Sequence, residues 1–177
     1  MTATLPLPLP GPELTDAGHG VRLRRWRDQP GDVAALVAAW RDPSVVSANP
    51  VPAEVSPDRA QRWIGGESER RLRGLSLDLV MSPLDGARVW GEVGLRGFDR
   101  VVRRAEVGWW LTPDARGRGL AAVAVDLLAT WALGPPLGLR QVWARIHRDN
   151  AAAARVAAGA GFRLLGVAGD VEVWARP

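Results

Sequence analysis

The chain has no cysteine, lysine or tyrosine, and only two histidines and two phenylalanines among its 177 residues. Without cysteine there is no disulfide scaffold, no zinc ribbon or finger and no thiol nucleophile, and the chain suits a reducing cytoplasm. His19 and His147 alone make a histidine-rich metal site a poor expectation, so no metal is expected. All 23 basic residues are arginine against 19 acids, a net charge of +4. With no lysine or tyrosine to titrate, that modest excess lifts the isoelectric point to about 11.2. The charge itself is the better guide to partners, and nucleic-acid binding is not expected from it. The longest apolar run, Leu120 to Leu133, falls short of the roughly 20 residues a bilayer requires and contains Asp126 and Thr130, so no membrane span is expected. Residues 1–18 carry alternating Leu-Pro without the basic leader and apolar stretch of a signal peptide; they read as an extended, proline-rich arm before a single domain over 19–177.

What is present is 47% apolar and 24% charged, enough for one core. Val21 to Arg27 reads as a strand. Asp32 reads as the cap of a helix that stops at Asp42-Pro43, and Ser56-Pro57 as the start of another, which ends near Gly74 with a break at Gly65-Gly66. Alternation then gives strands over 75–82, 89–98 and 104–111, the last two joined by a hairpin around Asp99-Arg100. An apolar helix over about 118–133, a strand over 141–147, a short alanine-rich helix after Asp149 or Asn150 and two terminal strands complete the order. This is a mixed α/β (α+β) layer fold around one sheet, without internal repeats.

The chemistry concentrates in Arg116-Gly-Arg-Gly-Leu-Ala121, between a strand and a buried helix. Glycines let backbone approach a ligand closely, and a helix start offers unpaired N–H groups and the positive end of the dipole; together they make a phosphate or pyrophosphate site. The spacing also fits G-x-G-x-x-G/A, but no acid lies between Asp126 and Asp149 to hold a ribose, and a Walker loop would need lysine. Both nucleotide readings fail.

The run Ala105-Glu-Val-Gly-Trp-Trp-Leu-Thr-Pro-Asp-Ala-Arg-Gly-Arg-Gly-Leu-Ala121 resembles the central strand and the R/Q-x-x-G-x-G/A acetyl-CoA motif of the GNAT N-acetyltransferase superfamily. Arg145 to Phe162 resembles the second half of that motif set, through Asn150 to Gly161-Phe162. Val21-Arg-Leu-Arg, Asp42-Pro-Ser-Val and Gly91-Glu-Val-Gly-Leu95 make the chain most similar to the RimJ/RimL-type branch, and the resemblance covers about residues 21–175. It implies a mostly antiparallel sheet of about six to seven strands flanked by about four helices. It also implies acetyl-CoA as co-substrate and an amine acceptor, a peptide N-terminus or a small molecule, with a homodimer as a compatible assembly.

Carried over residue by residue, the resemblance gives the pyrophosphate to the backbone of Arg116, Gly117, Arg118, Gly119, Leu120 and Ala121. The pantetheine arm falls to the backbone of Trp110 and Leu111, and Asn150 binds the arm near its acetyl end. Direct attack by an amine needs a proton acceptor. Glu106, an acid in an apolar strand, is the first candidate and Glu92 the second. Many members protonate the leaving thiolate with a tyrosine or serine that is here Ala157 or Ala153, which leaves His147 as the nearby titratable group. That departure keeps open a rival reading, a catalytically weak acyl-CoA-binding module. Trp63, Trp109 and Trp110 are candidates to line the acceptor pocket, with Trp26, Trp40, Trp90, Trp131 and Trp143 expected in the core. The arginine clusters at 22–27, 70–73 and 100–104 are expected to be solvated.

Overall fold

The computed structural model describes residues 6–177. One eight-stranded sheet runs β1 (Leu14–Asp16), β2 (Val21–Arg25), β3 (Ser76–Pro83), β4 (Gly91–Asp99), β5 (Arg104–Leu111), β6 (Gln141–His147), β8 (Val171–Arg176), β7 (Arg163–Ala168). Every neighbouring pair is antiparallel except β5 with β6. This is the expected architecture with a slightly higher strand count.

Side-chain alternation sorts the sheet into two cores. Leu77, Leu79 and Met81 of β3, Val93 and Leu95 of β4, Ala105 and Val107 of β5 and Val142, Ala144 and Ile146 of β6 pack against α5 (Leu120–Leu133) and α6 (Ala151–Gly159). The opposite face carries a second core built from Trp26, Val80, Trp110 and the inner sides of α1 (Pro30–Arg41), α2 (Pro43–Val46) and α3 (Pro57–Gly65). The expected break falls at Gly66, which separates α3 from α4 (Glu67–Leu72).

Several local expectations change. Part of the proline-rich segment is packed on the domain: Leu7 is 2% exposed within the first core, its N–H donates to the Arg71 carbonyl, and Arg71 Nη1 donates to the Leu7 carbonyl. Leu14–Asp16 then pairs with β2; residues 1–5 of that segment lie outside the described residues. Asp32 is not a cap, since α1 starts at Pro30; it is buried and takes a bidentate pair from Arg24 at 2.7 and 2.8 Å. Arg24 is therefore not solvated but 1% exposed. Nor is Arg70 a free surface cation, because it lies 4.2 Å over the Trp63 ring and bonds Asp78. Trp26, Trp40 and Trp90 are buried as expected, whereas Trp131 and Trp143 are only half-buried.

Among the described residues no helix is long and apolar enough to cross a membrane, and no group of three or more His, Asp or Glu is placed to hold a metal ion.

Candidate functional site

The parallel register of β5 and β6 covers only Arg104↔Gln141, Ala105↔Val142 and Glu106↔Trp143. From Val107 onward β5 remains paired with β4, through Gly91↔Leu111, but not with β6. The two strands part there, leaving one backbone edge of Val107 to Leu111 open inside the sheet. Such an edge accepts an extended chain carrying amides.

At the end of β5 the chain makes a short turn over Pro113–Ala115 and enters α5. Gly117 and Gly119 have φ of 72° and 75°, the left-handed region that favours glycine, and open space lies where a Cβ would stand on either. Gly119 is the cap residue of α5, and no side chain satisfies the first amides of that helix. Leu120 and Ala121 are buried, so neither offers an exposed side chain to a ligand. Arg116 is turned back rather than outward: its guanidinium donates to the Leu111 carbonyl and to Asp42. Hydrogen bonds from Ser44, and then the one from Arg116, hold the Asp42 carboxyl down at about 2. Arg118 stacks 5.0 Å over Trp90. Asn150 caps α6, its Oδ1 accepting from the Ala153 N–H at 3.0 Å.

The candidate catalytic residues are spread along the second face of the sheet. Glu92 stands opposite Trp110. The Trp26 indole donates to it at 2.8 Å, and the Trp110 indole donates as well. Burial, then the neighbouring Asp78 carboxylate, pushes the Glu92 carboxyl up to about 8. Burial also raises Asp78, although Ser76 and Arg70 hydrogen-bond it. Glu106 sits two rows away, 5% exposed, between Arg96 at 3.1 Å and Arg145 at 3.0 and 3.2 Å. Four residues of β5 between those rows correspond to about 13 Å, so the two acids do not act on one atom. His147 is exposed at the end of β6, where its nearest charged neighbour is Asp149, 3.7 Å away.

Trp63 joins Trp26 and Trp40 edge-to-face at 5.9 and 6.3 Å, and Trp110 lies 6.3 Å from Trp26. Trp109 is not part of this group; it points to the opposite face, toward the first core. Sequence reasoning missed Trp26, Asp78 and Arg96 as site residues. Their alternation along strands was visible, but their neighbours depend on register between strands.

Between the rows, Gly94 and Gly108 stand opposite one another. They form a glycine floor beside the point where β5 and β6 part, over which the Asp78 carboxylate and the Arg96 guanidinium lie.

The sequence profile of the acetyltransferase (GNAT) domain family matches residues 21–163. No curated protein matches the chain by sequence. Among solved structures, a RimL ribosomal L7/L12 alpha-N-protein acetyltransferase in complex with coenzyme A superposes with a TM-score of 0.75 at 20% identity, over 93% of this chain and 97% of that one. A spermidine N-acetyltransferase from Vibrio cholerae, in complex with CoA and spermine, gives 0.72 at 17% identity over 89% and 95%. The Microcin C7 self-immunity acetyltransferase MccE, in complex with acetyl-CoA and AMP, gives 0.74 at 16% over 89% and 92%. A parted central strand pair, a glycine turn feeding an apolar helix and a profile match across most of the chain lead to one assignment: the protein belongs to the GNAT acetyltransferase family.

Proposed function

We propose that the protein transfers an acetyl group from acetyl-CoA to a primary amine by direct attack within a ternary complex. The observation that carries this reading is the parting of β5 from β6 after Glu106, in line with the glycine turn at 117–119. An amide-rich arm fits the open edge of Val107 to Leu111, and a diphosphate fits the α5 amides. The CoA-bound and acetyl-CoA-bound neighbours of the same fold support that fit.

Of the two acids, Glu92 has the surroundings of a proton acceptor. A carboxylate pushed up to about 8 is a far stronger base than an ordinary one, and a cationic amine beside it favours its ionised form. In the reaction the Glu92 carboxylate takes one proton from the cationic amine, the freed nitrogen bonds the thioester carbonyl carbon, and the nitrogen's second proton is released to water. The carbon–sulfur bond breaks with its electron pair on sulfur, and the thiolate takes a proton from water. Glu106 is engaged by two guanidiniums and reads as a positioning group. Alanines at 153 and 157, and the lack of any tyrosine, also support a second reading, an acyl-CoA-binding module without turnover.

Gly119→Glu tests the cofactor half. It sets a Cβ and a carboxylate at a left-handed φ, where amides meet phosphate. Calorimetry should show acetyl-CoA binding lost while circular dichroism stays unchanged; normal binding by this variant would remove the proposed loop role. Thiol release across a panel of amines tests the transfer half. Tight acetyl-CoA binding without release to any amine would favour the binding module.

A further inference from the structure

The charges around the Gly94–Gly108 floor are unevenly distributed, and the unevenness has a direction. Gly108 follows the last residue pair that joins β5 to β6 by two positions, so a thioester held between those strands lies beside it. From β4, Glu92 and Arg96 are its two diagonal neighbours, one on each side. Diagonal positions across an antiparallel pair are about 7–8 Å apart, within reach of long side chains.

On one side, Glu92 is bound by indole N–H groups, and among the described residues no guanidinium hydrogen-bonds it. The carboxylate next to it, Asp78, is balanced by Arg70, and its Oδ1 lies 3.1 Å from where a Gly94 Cβ would be. On the other side, one carboxylate, Glu106, is shared by two guanidiniums, Arg96 and Arg145. That leaves one positive charge over. The Arg96 bond to Glu106 uses Nη2, while Nη1 lies 3.4 Å from where a Gly108 Cβ would stand. The side chains of Arg96 and Arg145 are 37% and 58% exposed, whereas that of Glu106 is 7% exposed. An acceptor therefore meets the guanidinium edges, not the acid between them.

We infer that the acceptor is a small zwitterion, a primary amine carrying a carboxylate or other anionic group a few bonds from the nitrogen. Its amine lies at Glu92 and its anion at Arg96 and Arg145, across the Gly94–Gly108 floor. A guanidinium binds such an anion with charge-assisted, paired hydrogen bonds. A diamine or polyamine would set its second cation against the surplus positive charge, so this pattern selects against it. The inference rests on the amine-acceptor reading and adds the chemistry of the rest of the molecule.

The experiment compares glycine, β-alanine and 4-aminobutyrate with alkylamines and diamines of matching length. Two readouts are taken: kcat/KM for acetyl transfer, and calorimetric affinity for the protein saturated with CoA. A charge-assisted contact predicts that the best zwitterion exceeds its alkylamine by roughly 10- to 100-fold in both. Arg96→Met should bring that ratio close to one, and Arg96→Lys should retain part of it. The chain-length optimum reads the span from Glu92 to Arg96. Equal or stronger binding of alkylamines or diamines overturns the inference, as does an Arg96→Met variant with the ratio intact. Preferential zwitterion binding without any acetyl transfer would instead overturn the enzyme reading and leave the zwitterion site standing.

Discussion

Glu92 and Glu106 occupy the same sheet face, yet one lies among indoles beside a second acid and the other between two arginines. Burial among those indoles gives Glu92 a proton affinity suited to taking a proton near neutral pH. Glu92→Gln is therefore expected to lower kcat/KM by about 10²- to 10⁴-fold, the usual range for a lost general base, with acetyl-CoA affinity unchanged. In the wild type kcat/KM should climb as pH passes through about 8, where the Glu92 carboxyl ionises. That inflection should persist in Glu106→Gln and vanish in Glu92→Gln; its survival in the latter would assign it to the amine alone. The same group makes stability fall with pH. Between its ordinary value of 4.5 and about 8, the native state holds a proton that the unfolded chain has released. Its stabilising contribution is complete below 4.5 and is lost as pH rises through 8. Thermal melts from pH 5 to 9 should show Glu92→Gln gaining progressively on the wild type.

At the scale of elements, the buried Arg24–Asp32 pair ties β2 to α1. Asp32 Oδ2 accepts from Arg24 and from the Arg27 N–H at 2.7 and 2.9 Å, so one carboxylate organises the strand end and the first helical turn. Removing one member strands the other charge in the core, and Arg24→Met should cost about 3–5 kcal/mol in urea unfolding. Arg24→Met/Asp32→Leu should recover most of that loss; a double variant as unstable as the single one would show that packing, not charge, dominates.

This pair also marks how far sequence reading reaches. Period-two alternation made β3 to β6 legible nearly to the residue, and the glycine turn before α5 was plain from its composition. Which face an arginine occupies is local information, whereas its partner on a helix is not. Asp42-Pro43 reads as a stop, yet Asp42 accepts from the N–H and hydroxyl of Ser44 at 2.9 and 2.7 Å and so starts α2 directly. β1 has only three residues, too few for a periodic signal. The proposed acceptor face depended on register. Gly94 meets Gly108, and Glu92 meets Trp110, only once β4 and β5 are aligned, and alternation within either strand does not specify that.

Across the whole molecule, the sheet is a five-stranded antiparallel half and a three-stranded half joined by three residue pairs between β5 and β6. α5, which follows β5, and α6, which follows β6, pack on each other and bridge the halves. The proposed cofactor arm fits into the parted segment, so binding should join the halves and act as a global stabiliser rather than a local one. A ligand that binds only the folded state adds about 2.7 kcal/mol at a hundred times its dissociation constant. With CoA at that excess, thermal unfolding should move up as a single transition. Hydrogen exchange should slow at residues 107–111 and 117–122, and also at 144–147 across the gap. Protection confined to 117–122, without change in either strand, would mean that the diphosphate binds while the arm lies outside the sheet. In that case the parting of β5 and β6 would need another occupant, and the place of the thioester beside Gly108 would have to be given up.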